Sequence, residues 1–384
     1  MYDIVLKNAE VCGGDFKLAR NDLAVSDGVI AKAAPGLCGK KEYDLSGCKV
    51  LPGFVDVHIH GCVGADACDA DSEGLKKISA HLATRGVTSF CPTTMTLPKD
   101  ELKHILSVIK DGMDSLSPGA AIRGVNLEGP YIALSKKGAQ KGDYVRHPDF
   151  AEFKELFEGC GGMIKLVDIA PEQEGGEDFI LNAKELCTVS IAHTDADYEQ
   201  AAHAFRLGIS HATHLYNAMS GISHRAPGVV GAVLDDETVK AELICDGFHI
   251  HPAVLRTTFR ALGQDRSVIV SDSMRAAGLP DGEYELGGQP VFVKNGQARL
   301  ADGTIAGSTT DMLQEVKNLL GWGVPFEQVI RSATINPARE IQEDHRIGSI
   351  EEGKLADLAV LDKDWNPVLV LVGGEVIVDH LSRL

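Results

Sequence analysis

Two patterns of apolar and polar positions divide the chain. The first fifty residues alternate apolar and polar positions between turn signals, as in YDIVLKNAEV, and ADLAVLDKDWNPVLVLVGGEVIVDH near the other end repeats that pattern. Such alternation is typical of half-buried strands. Because the two ends of a chain commonly lie close together, we predict one small β-sandwich domain built from residues 1–50 and 340–384.

The middle of the chain, residues 51–339, repeats a nearly continuous apolar run followed, in most cases, by an amphipathic helical pattern. The runs are GFVDVHIH, GVTSFCPT, IRGVNLEG, MIKLVDIAPE, TVSIAHT, ISHATHLYN, AELICDGFH and SVIVSDS. Apolar strands that alternate with helices indicate a parallel sheet covered on both faces. This number of runs favours an α/β fold, a (β/α)8 TIM barrel. A doubly wound open sheet is the alternative, against which the lack of a GxGxxG or Walker-type loop counts.

One segment departs from this alternation after the last run. VFVKNGQARL places Asn295 and Gly296 between two strand-like halves, which is a strong signal for a two-residue hairpin turn. We therefore predict a β-hairpin insertion near residues 283–300, beside the mouth of the barrel.

Composition limits the class of protein and its partners. A hydrophobic fraction of 44% and a charged fraction of 24% are those of an ordinary globular protein. We expect neither a signal peptide nor a membrane span, because no segment has the required apolar length or flanks. The nine cysteines lack CxxC spacing, which favours free thiols and a cytoplasmic location. The net charge of −18 argues against nucleic acid as a partner.

Side chains that bind metals recur where the predicted barrel strands end. His58 and His60 lie two residues apart at the end of the first strand, so both project to the same face. The carboxyl ends of barrel strands are where enzymes of this fold build their sites. The candidate ligands are His58, His60, Glu128, His193, His214 and Asp272. Imidazole and carboxylate ligands of this kind suit zinc, iron or manganese. His211 lies three residues before His214, and we expect it to be packed or hydrogen-bonded on the opposite face.

Several longer motifs resemble one family closely. NLEGPYI, KKGAQ, THLYNAM, HRAPG, DGFHIHP, SDSMRAAG, AGSTTDM and GSIEEGKLADLAVLD resemble the N-acetylglucosamine-6-phosphate deacetylase family of the amidohydrolase superfamily, essentially from end to end. The resemblance implies a hydrolase that acts on linear amides. Its reaction would convert N-acetyl-D-glucosamine 6-phosphate to D-glucosamine 6-phosphate and acetate, in amino-sugar catabolism and recycling.

The resemblance also implies a metal centre. Glu128, His193 and His214 would hold the principal metal, and His58 and His60 would complete a second site beside it. Some relatives have Gln and Asn in place of these two histidines and hold one metal, so we expect one or two divalent ions per subunit. Zinc or iron is expected first, with manganese or cobalt as alternatives. A bound cation lowers the pKa of its water toward ~7. Asp272, also a ligand candidate, would take a proton from that water and return it to the departing amine.

The family's substrate contacts can be carried over in the same way. Arg225 and His249 match positions that bind the sugar phosphate, and the planar fork of arginine suits that anion. The sugar and its N-acetyl group would contact Ala139, Gln140, Asn217, Ala218, Ala306 and Gly307. Many relatives have His where this chain has Gln140, which can donate a hydrogen bond only as a neutral group. In this family the arginine reaches the neighbouring subunit's site, so a homodimer is implied.

Two other functions remain open on the sequence alone. An amidohydrolase of this fold can act on another N-acyl or cyclic amide, but loss of Arg225 and His249 would have favoured that alternative. A non-catalytic scaffold of the same fold is the second alternative. Scaffold proteins of this superfamily lose metal ligands, whereas the candidates are all present here.

Overall fold

The computed structural model describes residues 1–113 and 118–383. Its strands are β1 (Tyr2–Cys12), β2 (Leu18–Ser26), β3 (Val29–Ala33), β4 (Gly39–Asp44), β5 (Lys49–Pro52), β6 (Phe54–Ile59), β7 (Gly61–Cys62), β8 (Ala65–Asp66), β9 (Val87–Thr94), β10 (Ala121–Ile122), β11 (Val125–Leu127), β12 (Ile164–Ile169), β13 (Thr188–Ile191), β14 (His211–Ala212), β15 (Lys240–Leu243), β16 (Ser267–Ile269), β17 (Gly282–Leu286), β18 (Gln289–Lys294), β19 (Gln297–Arg299), β20 (Leu358–Leu361), β21 (Pro367–Val372) and β22 (Glu375–Asp379). Its α-helices are α1 (Ser72–Thr84), α2 (Lys99–Met113), α3 (Phe150–Gly159), α4 (Gly176–Ala183), α5 (Tyr198–Leu207), α6 (Gly228–Asp235), α7 (Pro252–Leu262), α8 (Met312–Gly321), α9 (Phe326–Ala333) and α10 (Ile335–Glu340).

Strands from both ends of the chain share one sheet. Its order is β22-β21-β20-β5-β1-β2-β3, and β4 pairs with β1 in addition. β5 connects the two ends, because it pairs in parallel with β1 and antiparallel with β20. Alternate apolar residues of these strands, among them Leu6, Leu23, Val50 and Leu358, form a buried cluster of their own. The division of the chain at residues 50 and 340 stays a prediction.

The middle of the chain forms a nearly closed parallel barrel, which confirms the predicted fold class. β6, β9 and β11 to β16 pair in parallel in that order. The first and last strands meet beyond β16, where the Asp272 N–H donates to the His58 carbonyl at 2.9 Å and the His60 N–H donates to the Ser273 carbonyl at 2.9 Å. The two ends of the barrel sheet are thereby joined next to the candidate ligands.

The core of the barrel has an outer and an inner part. Helices such as α1 bury one apolar face against the strands through Leu75, Ile78 and Leu82, as the amphipathic pattern predicts. The inner part contains Val55 and Leu166 of the strands, packed with apolar residues of α10 and the segment that follows it. α10 therefore packs against the inner side of the barrel.

An antiparallel sheet of three short strands, β17, β18 and β19, follows the barrel strands. Asn295 and Gly296 form its second turn, with φ of 54° and 70°, values that favour these residue types. Its apolar side packs on Met95, Met274 and Ala306.

None of the helices in the described ranges is long and apolar enough to cross a membrane. All nine cysteines are free.

Candidate active site

The structure brings the predicted ligands together in two adjoining groups. One group contains His58, His60 and Asp272, and the other contains Glu128, His193 and His214. Within each group the potential ligand atoms all lie within 4.8 Å of one another, and every one of these residues is buried. They come from the carboxyl ends of β6, β11, β13 and β14 and from the segment after β16, which is the end of a barrel where active sites form.

Glu128 lies between the two groups. Its Oε1 atom is 3.1 Å from the Nε2 atoms of both His193 and His214. Its Oε2 atom is 3.2 Å from His60 Nε2, which is itself 3.3 Å from Asp272 Oδ1. One carboxylate therefore faces both groups, the arrangement expected of a ligand that can bridge two cations.

Backbone carbonyls set the orientation of two of the histidine rings. His193 donates its Nδ1–H to the Lys136 carbonyl at 2.7 Å, and His60 donates its Nδ1–H to the Thr93 carbonyl at 3.2 Å. Because a carbonyl only accepts, the proton of each neutral ring lies on Nδ1. The lone pairs of both Nε2 atoms then face the carboxylates, as in metal-binding histidines.

His58 provides a further observation that fits a cation. Its Nδ1 atom contacts the Glu242 carboxylate at 2.9 Å. Its Nε2 atom is buried and has no hydrogen-bond partner among the described residues. That nitrogen faces Glu128 Oε1 at 3.7 Å and Asp272 Oδ1 at 3.6 Å. A buried ring nitrogen that faces two carboxylates belongs to a donor set that suits a divalent cation.

The backbone is strained at several candidate ligands. His193, His214 and Asp272 have φ of 42°, 29° and 45°, in the left-handed region that few non-glycine residues adopt. Gly129, directly after Glu128, has φ of 78°, and a Cβ atom there would lie 2.2 Å from Thr96 Oγ1. Strained backbone of this kind is typical of functional sites, where the surrounding fold holds it in place.

Electrostatics keep the central carboxylate ionised. Burial alone raises the pKa of Glu128, but the charge on His58 and the hydrogen bonds from His193 and His214 outweigh it and hold that pKa well below its usual value. Ionised carboxylates bind cations, so the protonation state of Glu128 suits a metal ligand.

The neighbouring carboxylates raise the pKa of a histidine in the site. Burial lowers the pKa of His60, yet its hydrogen bonds to Asp272 and Glu128 raise that pKa to about 10. The pKa of Asp272 is lowered despite burial, because of the charge on His58 and the hydrogen bond from His60. Protons and a divalent cation thus compete for the same ring nitrogens.

A cavity of about 570 Å³ opens above the two groups. Of the residues predicted to contact substrate, its lining includes Ala139, Gln140, Asn217, Ala218, His249 and Gly307. Ala306 lies behind that surface, fully buried, and its N–H donates to the Ala298 carbonyl at 3.1 Å. Arg225 lies outside the lining, in the exposed segment 221–226.

Gln140 uses both ends of its amide within the protein. Its Nε2 atom donates to Glu128 Oε2 at 2.8 Å, and its Oε1 atom accepts from the Thr96 N–H at 2.7 Å. The side chain is buried. In this structure Gln140 therefore holds the central carboxylate at Oε2, the oxygen that also faces His60.

His249 is oriented by a neighbouring carboxylate. Its Nδ1 atom contacts Asp246 Oδ2 at 2.8 Å. Burial has the largest single effect and raises the pKa of Asp246, but the hydrogen bond and charge of His249 and the backbone N–H groups of His249 and Phe248 together outweigh burial and lower that pKa. Lys136 and Lys137 lie in the lining of the same cavity. Cationic groups are thus available there for an anionic part of a ligand.

Sequence reasoning missed part of the lining. Leu286, Asp302, Thr304 and Ile305, in and after the three-stranded insertion, line the cavity. The predicted hairpin marked this region, but which side chains face the cavity depends on how the insertion packs on the barrel. The sequence did carry a signal for Glu242, a charged residue inside the apolar run AELIC.

The chain belongs to the amidohydrolase family, whose sequence pattern matches residues 49–378. Sugar-phosphate deacetylases are among the proteins similar to it in sequence. The N-acetylglucosamine-6-phosphate deacetylase of Bacillus subtilis (strain 168) is 37% identical over 332 residues, which cover 85% of this chain and 84% of that protein. The N-acetylgalactosamine-6-phosphate deacetylase of Escherichia coli O157:H7 is 35% identical, over 93% of this chain and 94% of that protein.

Solved structures agree with the sequence comparison. The crystal structure of N-acetylglucosamine-6-phosphate deacetylase from Pasteurella multocida superposes with a TM-score of 0.91 at 31% identity, and covers 97% of this chain and 99% of that one. The family resemblance inferred from the motifs is thereby confirmed. Family membership and the two ligand groups together suggest a divalent metal at this site.

Proposed function

We propose that this protein hydrolyses the acetamide of N-acetyl-D-glucosamine 6-phosphate, giving D-glucosamine 6-phosphate and acetate. The observation that carries the proposal is the pair of ligand groups, with Asp272 beside Glu128, at the bottom of one cavity. The similarity to sugar-phosphate deacetylases supports the substrate class. The same site would serve N-acetyl-D-galactosamine 6-phosphate, given the similar identity to the Escherichia coli O157:H7 protein.

One or two divalent cations complete the site in this proposal. Glu128, His193 and His214 would hold the first, and His58 and His60 would hold a second, with Asp272 close to both. Zinc or iron fits imidazole and carboxylate ligands, as do manganese and cobalt. When bound, such a cation supplies a polarised amide carbonyl and a more acidic water.

Asp272 acts as the general base and then as the general acid. Its lowered pKa keeps it ionised at neutral pH, and it lines the cavity. It takes one proton from the attacking water, whose oxygen forms the new bond to the acetyl carbon. It then gives that proton to the amide nitrogen as the C–N bond breaks, because an amine leaves only when protonated.

Substrate recognition follows from the cavity lining. His249, held by Asp246, would donate to the sugar phosphate, with Lys136 and Lys137 nearby. The sugar and its acetyl group would contact Ala139, Gln140, Asn217, Ala218 and Gly307, with Ala306 behind them. The Gln140 amide would also support Glu128 through its hydrogen bond to Oε2.

Arg225 is proposed to act on a second subunit. It is exposed and lies outside the cavity of its own chain, as expected for a side chain that reaches a partner's site. A homodimer would then place two cavities within reach of two Arg225 side chains. We also propose a cytoplasmic location, which suits a protein whose cysteines are all free thiols.

The test is the specificity constant for acetate release. We expect kcat/KM for N-acetylglucosamine 6-phosphate to exceed that for unphosphorylated N-acetylglucosamine by several orders of magnitude. Arg225→Ala should lower it by about 30-fold or more, mostly through KM, because a charge-assisted phosphate contact is lost. Arg260→Ala, an exposed arginine on α7, is the matched control and should have no effect.

Two outcomes would contradict the proposal. Equal or negligible activity on both sugars would leave the fold and metal site standing but remove the sugar-phosphate substrate. A stable purified protein that takes up no divalent metal would favour the scaffold alternative instead. N-acetylgalactosamine 6-phosphate, assayed in parallel, shows whether the C4 configuration is distinguished.

A further inference from the structure

Glu242 is a charged residue in the barrel that the proposed reaction does not use. It lies on β15 and is fully buried. Burying a carboxylate costs free energy unless hydrogen bonds and opposite charges compensate. The groups that compensate the buried Glu242 carboxylate therefore indicate its role.

The Glu242 carboxylate contacts both candidate ligand groups. Its Oε2 atom lies 2.9 Å from His58 Nδ1 and accepts from the His214 backbone N–H at 3.1 Å. Its Oε1 atom lies 3.1 Å from His211 Nε2. A single oxygen thus fixes the ring of one candidate ligand and the backbone of another.

This contact determines which nitrogen of His58 faces the site. An ionised carboxylate can only accept hydrogen bonds, so His58 carries a proton on Nδ1. Its Nε2 atom faces Glu128 and Asp272, buried and without a hydrogen-bond partner in the described part of the chain. Glu242 therefore keeps the coordinating nitrogen of His58 directed at the two carboxylates.

The acceptor on His58 differs from those on the other oriented rings. His60 and His193 donate to the neutral carbonyls of Thr93 and Lys136. His58 alone among these three rings is held by a carboxylate. A charged acceptor makes an imidazole a better electron-pair donor, as in carboxylate–histidine–metal triads.

A second buried ion pair holds Glu242 in place. His211 lies between two carboxylates, with Nε2 3.1 Å from Glu242 Oε1 and Nδ1 2.9 Å from Glu340 Oε2. Both ring nitrogens face groups that only accept, so His211 donates from both. Glu340 lies at the end of α10. The row Glu340, His211, Glu242, His58 thus connects α10 to the ligand groups.

We propose that Glu242 is a positioning residue for the metal centre, which fixes the Nδ1–H tautomer of His58 and the backbone of His214 so that His58 Nε2 is available to a divalent cation. The proposal rests on the metal site of the proposed function and is independent of its substrate. A residue that only stabilised the fold would leave the intrinsic metal affinity of the folded protein unchanged.

The experiment measures zinc affinity by competition with a chromophoric chelator, for folded metal-free protein reloaded with zinc. Glu242→Gln should weaken binding at the site that contains His58 by about 10- to 100-fold, the usual effect of losing such a partner. Glu315→Gln is the matched control. It makes the same change at a fully buried carboxylate on α8, outside both ligand groups, and should leave the affinity at the wild-type value.

A double-mutant cycle tests whether Glu242 acts through His58. In a His58→Gln background, Glu242→Gln should cause a clearly smaller fold-loss, because the ring that it orients is gone and only its contact with the His214 backbone N–H remains to be lost. Unchanged affinity in Glu242→Gln would overturn the proposal. So would an equal fold-loss in both backgrounds, because Glu242 would then act independently of His58.

A second measurement needs no variant and covers the case in which Glu242→Gln does not fold. Nitrogen-15 NMR of histidine-labelled, zinc-loaded wild-type protein should show the His58 proton on Nδ1, whereas a proton on Nε2 would overturn the proposal. A wild-type protein without measurable zinc affinity would remove the metal site and this role together. Normal zinc binding without sugar deacetylation would remove only the substrate assignment, and the cycle would still decide the role of Glu242.

Discussion

Buried carboxylates in this protein are compensated in two different ways. For Glu242, burial raises the pKa, but the charge on His58 and the hydrogen bonds from His211 and His58 outweigh it, so the group stays ionised. None of the described groups that shift the pKa of Glu315 is cationic. Burial together with the charge on Asp246 raises that pKa well above its ordinary value. From the sequence alone, both glutamates would be expected to be ionised. In the folded protein the pKa of Glu242 is lowered, whereas that of Glu315 is raised.

The raised pKa of Glu315 predicts a pH-dependent cost. Above its ordinary value of 4.5, the unfolded chain loses this proton while the folded chain keeps it, so the folded state binds more protons and stability falls as pH rises. Relative to Glu315→Gln, the wild-type free energy of unfolding should decline by up to about 1.4 kcal/mol per pH unit. The decline should begin near that value and end at the pKa of the folded state.

Urea unfolding of both proteins at a series of pH values measures this difference directly. Because both chains share all other titrating groups, their common pH dependence cancels in the comparison. A difference that stays constant with pH would show that Glu315 is ionised in the folded state.

At the scale of elements, the apolar runs predicted the barrel strands well, because a strand buried on both faces must be apolar throughout. The ends of the strands were harder to predict. ISHATHLYN reads as one long strand, but β14 ends at Ala212, and the backbone then takes positive φ at His214, Tyr216 and Ala218. Hydrophobic patterning cannot show where a chain leaves the ladder, because the strain is stabilised by contacts from other strands.

The candidate site, too, could be predicted from the sequence only in part. The ligand types could be predicted from strand ends, because parallel strands bring their carboxyl ends together. The side chain of Ala306 packs beneath the three-stranded insertion, and its predicted role at the substrate stays a prediction. The position of that insertion depends on long-range packing, which no local motif specifies.

The insertion also makes a hydrogen bond that bears on the cavity. Gln289 of β18 donates its Nε2–H to the Ala139 carbonyl, next to the residue that holds Glu128. Removing it in Gln289→Ala should lower kcat/KM by about 2- to 12-fold, since a hydrogen bond contributes about 0.5–1.5 kcal/mol. We expect the effect mainly in KM, because the loop that carries Ala139 is less firmly positioned.

Gln297→Ala is the control for this prediction. Gln297 lies on β19 of the same sheet, and its side chain accepts from Arg299 instead of contacting the loop. Steady-state kinetics should show wild-type values for it. A similar loss in both variants would point to a general loosening of the insertion and against a specific role for the Gln289 contact.

At the scale of the whole molecule, the negative net charge of the chain contrasts with the lysine side chains that line the cavity. The chain has a net charge of −18, which by itself repels a sugar phosphate at long range. Lys136 and Lys137 supply cationic groups at the cavity, which His249 also lines, whereas Arg225 lies outside that lining in an exposed segment. Among the described residues, the cavity lining thus contains no arginine, and we propose that a second chain supplies the one that the proposed phosphate site requires.

Mixed dimers distinguish an arginine that acts within its own subunit from one that acts on the partner. Chains with Arg225→Ala and chains with Asp272→Asn can be co-expressed with different tags and purified as heterodimers. If Arg225 acts on the partner, the Arg225→Ala chain keeps its own Asp272 and receives Arg225 from the other chain. One of the two sites is then intact, and activity per dimer should be about half of the wild-type value.

If Arg225 acts within its own subunit, neither site of the heterodimer is complete, because one lacks the arginine and the other lacks the aspartate. The heterodimer should then be as inactive as each homodimer. Failure to recover any species that carries both tags would contradict the dimer itself. Since both substitutions sit in otherwise wild-type chains, recovered activity requires that a site be assembled from two subunits.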